Sequence, residues 1–127
     1  MTIVIDTNIV ISAILSDKGK IGELLLSKTE KLEFFAPEFL LDELNNHQSK
    51  IKSIAGFNDD EYERVIKLVL KTVVFVDESS ISPGNLNKAF EMVKDVDLKD
   101  LIFVALCLEK NCVLWTGDKK LIKGFGA

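Results

Sequence analysis

Four short apolar runs, spaced along the whole chain, constrain the fold most strongly. They cover Met1 to Asp6, Leu32 to Ala36, Val73 to Val76 and Cys112 to Trp115, and β-branched and aromatic residues are frequent in them. Mostly apolar runs of this length, without regular alternation of polar residues, are typical of strands buried on both faces of a parallel sheet. Since no two runs are joined by a hairpin signal, the sequence predicts parallel strands with crossover connections.

Helical patterns fill the intervals between these runs. The predicted helices cover Asn8 to Ser16, Ile21 to Ser27, Pro37 to Ile54, Glu61 to Lys71, Leu86 to Val93 and Leu98 to Lys110, and a short basic turn or helix covers Asp118 to Lys123. The last of the six helices is the most apolar and is therefore predicted to be the most buried. Two helices between successive strands predict an α/β fold, in which a parallel sheet lies between helical layers and residues 1–127 form one domain.

Three local signals mark where the helices begin. Thr7 or Asn8 is predicted to cap the first helix, and Asn85 is predicted to cap the fifth. Pro37 suits the first turn of the third helix, because its fixed φ angle is already helical there.

Acidic residues stand where these elements start or stop. Asp6 ends the first apolar run and Asp118 follows the last, so both are predicted at the carboxyl edge of the sheet, where open α/β folds bind ligands. These two meet only if their strands are neighbours. Asp97 and Asp100 are three residues apart at the start of the most apolar helix and share a face. Glu43 lies on the helix after the second strand.

Each acid also has a purely structural interpretation. Asp97 is as readily a helix cap as a ligand, because the helix dipole favours acids there. Asp118 suits a turn, and Glu43 alone suits a solvated helix face. Asp100 is expected to lie against a very apolar helix, where a buried acid is costly. If the acids gather, each pair repels by roughly 1 kcal/mol at about 4 Å in water, or about 4 kcal/mol at an effective dielectric of 20, and hard divalent cations would be needed.

Composition narrows the class of protein. Sixteen basic and 20 acidic residues give a net charge of −4, which argues against a simple basic nucleic-acid binder. No apolar run approaches the roughly 20 residues that span a membrane, and the first residues lack a basic signal-peptide region, so a cytoplasmic location is expected. Cys107 and Cys112 are expected to be small core residues rather than metal ligands or a disulfide.

The acids lie in four segments that together resemble a PIN domain nearly end to end. The segments are Ile3-Val4-Ile5-Asp6-Thr7-Asn8, Leu40-Leu41-Asp42-Glu43-Leu44, Asp97-Leu98-Lys99-Asp100-Leu101-Ile102-Phe103 and Trp115-Thr116-Gly117-Asp118-Lys119-Lys120-Leu121. PIN domains are metal-dependent ribonucleases, and many bacterial and archaeal ones are VapC-like toxins. The resemblance implies a three-layer α/β/α fold with four or five parallel strands, an endoribonuclease with an RNA substrate, an antitoxin partner and a homodimer.

The resemblance also implies roles for individual residues. The implied catalytic acids are Asp6, Glu43, Asp100 and Asp118, with Asp97 as an additional metal ligand and Asn8, Ser12 and Thr116 as supporting polar residues. The stretch from Leu121 to Ala127 is short and rich in glycine, which leaves open whether a further strand forms at that edge.

The residue types indicate the chemistry. Carboxylate oxygens suit Mg²⁺ or Mn²⁺, which would activate water for phosphodiester cleavage, with a carboxylate as general base. Lysines that could hold flanking phosphates, or simply be solvated, are Lys18, Lys20, Lys119, Lys120 and Lys123. The only histidine is His47, so catalysis by two histidines is excluded. We expect His47 to be a surface residue, although it could pair with Glu43.

Two other functional classes compete with a nuclease. One is a PIN-like module that binds RNA or a protein without cleaving, although such a module has no reason to retain repulsive acids. The other is a phosphotransfer protein with an aspartate at a strand end. This second class is disfavoured because Asn8 stands where a dehalogenase-like phosphatase needs a second aspartate, and Asp6 lacks the acidic neighbour of a receiver domain.

Overall fold

The fold is built around a sheet of five strands. The structure, a computed structural model, describes residues 2–15, 32–95, 97–116 and 121–122. The strands are β1 (Thr2–Ile5), β2 (Glu33–Pro37), β3 (Val73–Val76), β4 (Val113–Trp115) and β5 (Leu121–Ile122). They lie in the order β3-β2-β1-β4-β5, with β1 to β4 parallel and β5 antiparallel to β4. The four parallel strands confirm the prediction from the apolar runs.

Helices cover the sheet in two groups. The α-helices are α1 (Thr7–Leu15), α2 (Phe39–Asn46), α3 (Gln48–Ala55), α4 (Asp59–Leu70), α5 (Pro83–Val93) and α6 (Leu101–Lys110), and short 3-10 turns cover Glu78–Ser80 and Leu98–Asp100. Helix α6 packs on β1, β2 and β4 and is flanked by α5, whereas α1 packs with α2, α3 and α4. The predicted three-layer α/β/α architecture is therefore confirmed. The helix predicted at Ile21 to Ser27 lies outside the described residues.

The core lies between β1 and α6. Val4, Ile5 and Leu106 are completely buried. Five of the ten residues of α6 are buried, as are five of the nine residues of α1, so the prediction that α6 would be the most buried helix was wrong. Cys107 and Cys112 are also buried and free, as predicted. The Cys107 thiol donates to the carbonyl oxygen of Cys112 at 2.8 Å, and its pKa is raised by hydrogen bonding with the Cys112 side chain and by burial.

Two predictions about the strands were wrong. Leu121 and Ile122 form a short strand that pairs with Trp115 and Leu114, rather than a basic turn or helix. Pro37 is the last residue of β2, not part of the next helix. Its missing N–H is tolerated there because β1 pairs with β2 only as far as Phe35, so the ladder on that side has already ended.

The predicted helix boundaries need three corrections. The long helix from Pro37 to Ile54 is two helices, α2 and α3, which meet at His47 after two asparagines of low helix propensity. Ser82, not Asn85, caps α5, and its side chain accepts from the backbone N–H of Asn85 at 3.3 Å. The predicted helix from Leu98 begins as a 3-10 turn. None of the helices in the described ranges is long and apolar enough to cross a membrane.

Candidate active site

A cavity of about 230 Å³ opens where the parallel strands end. Its wall combines residues from the start of α1, from α2, from the junction after α2 and from the turn that leads into α6. The lining residues are Asp6, Thr7, Asn8, Glu43, His47, Asp97, Lys99, Asp100 and Phe103. Four of the five predicted acids therefore share one cavity, although they are up to 94 positions apart in the sequence.

Asp6 connects the end of β1 to β4 and to α1. Its backbone N–H donates to the carbonyl oxygen of Trp115 at 3.2 Å, which ties the end of β1 to the end of β4. Its Oδ1 atom accepts from the backbone N–H of Ile9 at 3.0 Å and so caps α1. Asp6 is therefore the cap that the sequence assigned to Thr7 or Asn8. β1 and β4 are neighbours in the sheet, which is the condition stated above for Asp6 and Asp118 to meet.

Glu43 reaches the cavity from α2. It is half-buried rather than on a solvated helix face, and its Oε1 atom accepts from the Thr7 hydroxyl at 2.5 Å. His47 is exposed, as predicted for a surface histidine. The hydrogen-bond partner of the Glu43 carboxylate is thus Thr7 and not His47.

Asp97 and Asp100 flank the turn before α6. Asp97 is the cap of this turn, and its Oδ1 atom accepts from the backbone N–H of Lys99 at 2.9 Å. The cap interpretation of Asp97 therefore holds, and the residue also lines the cavity. Asp100 makes no side-chain cap hydrogen bond. It is exposed, so the expectation of a buried acid was wrong: the buried part of α6 begins only at Phe103 and ends at Cys107.

Comparison with known proteins identifies the family. The PIN domain family matches residues 4–126 of the chain. This chain belongs to the PIN domain family. Its fold is similar to a chain in the crystal structure of VapBC2 from Rickettsia felis bound to a DNA fragment from their promoter, with a TM-score of 0.68, 18% identity, and coverage of 90% of this chain and 86% of that chain. A comparison with curated proteins found no match.

The donor atoms around the PIN domain cavity suit a hard divalent cation. The four acids offer oxygen ligands only, which favours Mg²⁺ or Mn²⁺ over softer metals. Among the described residues, no group of three or more His, Cys, Asp or Glu residues is placed to hold a metal ion. The four acids alone therefore do not form a closed ligand set. Mg²⁺ usually keeps several waters and binds one or two carboxylates, so the residues fit such an ion by their chemistry.

Of the remaining predicted site residues, one lines the cavity, two do not, and the others lie outside the described residues. Asn8 is exposed and lines the cavity. Ser12 and Thr116 are half-buried and are not part of its described wall. The predicted residues that lie outside the described residues are Asp118, Lys18, Lys20, Lys119, Lys120 and Lys123.

Four lining residues of the PIN domain cavity were not predicted as site residues. Thr7 and Phe103 are buried, whereas His47 and Lys99 are exposed. Two of them carried a signal in the sequence: Thr7 is a polar residue at the start of a very apolar helix, and Lys99 lies between two acids that share a face. Lys99 brings a positive charge to an otherwise acidic wall.

Proposed function

We propose that this PIN domain is an Mg²⁺- or Mn²⁺-dependent endoribonuclease. The observation that carries the proposal is the shared cavity: acids from the end of β1, from α2 and from the turn before α6 line one pocket at the carboxyl end of the sheet. Ligand sites of open α/β folds lie at this edge. Proteins of this family are typically nucleases, and the acids match the donor atoms that divalent cations prefer.

The acids of the chain would have two roles, metal binding and proton transfer. Asp6, Glu43 and Asp100, together with Asp97 and Asp118, would hold the cation. When bound, such an ion supplies Lewis-acid stabilisation of phosphate charge and makes a water molecule more acidic. A cavity carboxylate would accept the proton of the attacking water.

Positive charge would hold the substrate beside the acids. Lys99 lines the cavity and is exposed, and among the described residues it forms no ion pair. We propose that it binds a phosphate of the RNA. Asn8 is also exposed on the cavity wall and would hydrogen-bond substrate or water, and the lysines predicted near Asp118 would extend this contact.

The biological setting proposed here is that of a VapC-like toxin. The support is the fold, which is similar to a chain in the VapBC2 structure. On this proposal the protein acts in the cytoplasm as a homodimer, and an antitoxin protein binds it and inhibits cleavage.

A non-catalytic PIN module that binds RNA or a protein is the second candidate. The observation that favours it is that the described acids do not form a group of three placed to hold a metal ion. Mn²⁺ binding separates the two candidates, because a module without catalysis has no need for a cation at this cavity.

Cleavage of a mixed RNA pool tests the proposal. We expect cleavage with Mn²⁺, its loss with a chelator, and its loss in Asp100→Asn. Asp95→Asn is the matched control, because Asp95 is an exposed acid that does not line the cavity; this variant should cleave normally. Equal cleavage by Asp100→Asn and Asp95→Asn would refute the assignment. Mn²⁺ binding by the wild type that is no tighter than by Asp100→Asn would favour the binding module.

A further inference from the structure

Thr7 makes an unusual contact for a residue at the start of a helix. It is the one buried polar residue in the part of the chain that the structure describes, with 7% of its surface exposed. Its hydroxyl donates to Oε1 of Glu43, which lies 36 positions further along the chain on α2. A buried hydroxyl needs a hydrogen-bond partner, and here the partner is a proposed site carboxylate.

Local helix chemistry does not account for this contact. At the start of α1 the Asp6 carboxylate caps the backbone N–H of Ile9, whereas the Thr7 hydroxyl donates to Glu43 and caps no N–H group of the helix. Apart from Asn8 and Ser12, the other residues of the helix are apolar, and five of its nine residues, Thr7 included, are buried. A valine would fill the same space in the core and match its surroundings better. The hydroxyl therefore serves the contact with α2 rather than α1 itself.

We propose that Thr7 is a positioning residue for Glu43. Its hydroxyl fixes the Glu43 carboxylate on the cavity wall, so that the remaining oxygen lone pairs are presented to the cation or water of the site. This inference rests on the proposed nuclease function and adds a residue to its machinery. Thr7 acts only through Glu43, and no contact between Thr7 and the substrate is required.

The physical basis is the difference in flexibility between the two side chains. Threonine is β-branched and has few χ1 rotamers, and Thr7 is held further by burial. Glutamate has a long, flexible side chain whose ordering costs entropy. An ionised carboxylate offers about four lone-pair sites, of which the Thr7 hydroxyl occupies one. Partners that orient a ligating group in this way typically change metal affinity or activity about 10- to 100-fold when removed.

Mn²⁺ titration of three variants tests the proposal without an activity assay. Thr7→Val removes the hydroxyl but keeps the shape, and should raise the Kd for Mn²⁺ about 10-fold or more. Thr7→Ser keeps a hydroxyl and should stay within about 3-fold of wild type, below the range for loss of such a partner. Thr72→Val is the matched control, because the Thr72 hydroxyl donates to the carbonyl oxygen of Val69 at 2.6 Å at the end of α4 and does not line the cavity. It should leave the Kd unchanged.

Two outcomes of the titration would overturn the proposal. One is a wild-type Kd in Thr7→Val, even with a lower melting temperature, since a merely structural role affects stability alone. The other is a Kd in Thr7→Ser as high as in Thr7→Val. A Glu43→Ala background provides a further check: there, Thr7→Val should change the Kd less than about 2-fold, because a residue that acts through Glu43 has nothing left to position.

Crystal structures of wild type and Thr7→Val separate this proposal from the function on which it rests. We expect the Glu43 carboxylate to leave its wild-type position in Thr7→Val. An unmoved Glu43 would refute the positioning role even in an active nuclease. Conversely, a wild-type protein that neither binds Mn²⁺ nor cleaves RNA would refute the proposed function, whereas a displaced Glu43 in the variant would still support the role of Thr7.

Discussion

Asp6 combines two roles that substitution can separate. Its Oδ1 atom caps α1 through the N–H of Ile9 at 3.0 Å, and its carboxylate lines the proposed active-site cavity. Asparagine keeps the side-chain oxygen but loses the charge. Alanine loses both. We therefore expect Asp6→Asn to affect cleavage alone, and Asp6→Ala to affect cleavage and folding.

The expected change in stability follows from the cap. Loss of a capping side chain to alanine lowers the free energy of unfolding by about 0.5–2 kcal/mol, whereas Asn and Asp cap about equally well. For a chain of 127 residues, 1 kcal/mol corresponds to about 4 °C in melting temperature. Asp6→Ala should therefore melt about 2–8 °C below wild type. Asp6→Asn loses about 0.3–1 kcal/mol of attraction to the helix dipole. Relief of repulsion from the other cavity acids, roughly 1 kcal/mol for a pair at about 4 Å in water, offsets this loss.

Thermal denaturation and RNA cleavage, measured on the same samples, check both roles. The expected pattern is no cleavage by either variant, with a reduced melting temperature only for Asp6→Ala. If both variants melt at the same reduced temperature, the Oδ1 contact is not the cap. If Asp6→Asn still cleaves RNA, the Asp6 carboxylate is not part of the catalytic set.

Two further predictions concern charged residues. Lys99→Gln should weaken RNA binding and should reduce the slope of log K for RNA binding against log salt concentration by about 0.7, the value for one phosphate contact on a single strand. The control is Lys67→Gln, because Lys67 is an exposed lysine on α4 outside the cavity wall; this variant should change neither the affinity nor the slope. Equal slopes in the two variants would argue against a phosphate contact by Lys99. Hydrogen bonds from the N–H of Ser82 and from Asn85 hold the pKa of Glu109 below its usual value of 4.5. Because the folded-state pKa is depressed, this stabilisation is present above pH 4.5 and is lost as the pH falls through the folded pKa. At neutral pH the wild type should therefore have a higher melting temperature than Glu109→Gln, and this difference should shrink below pH 4.5. A difference in melting temperature that does not change with pH would contradict this reasoning.

The strands were predictable because the signal for each lies in adjacent residues. Buried parallel strands need continuous apolar runs, and all four runs became parallel strands. β5 was missed because it is only two residues long and forms by pairing with β4, which no local pattern records. Pro37 was misplaced for a similar reason, since the end of the β1 ladder decides whether its missing N–H is tolerated.

The site was predictable in part. The positions of Asp6, Asp97 and Asp100 at element boundaries, and for Glu43 the resemblance to a PIN domain, identified them as site candidates, and all four line one cavity. Their hydrogen bonds were not predictable. The sequence could not assign the α1 cap to Asp6 rather than to Thr7 or Asn8, because each of these side chains can cap a helix. The exposure of Asp100 was also missed, because apolar composition does not reveal where along a helix burial begins.

The sequence by itself determined the α/β class, the strand positions and the residues that carry charge near the ends of the elements, since these depend on periodicity and on neighbours in the chain. Only the tertiary structure decided that β1 lies between β2 and β4, that the acids of three separate segments share one cavity, and that the Thr7 hydroxyl bonds to Glu43. These contacts join residues far apart in the chain, and they form only when burial of the apolar strands and of α6 fixes the packing of the helices on the sheet.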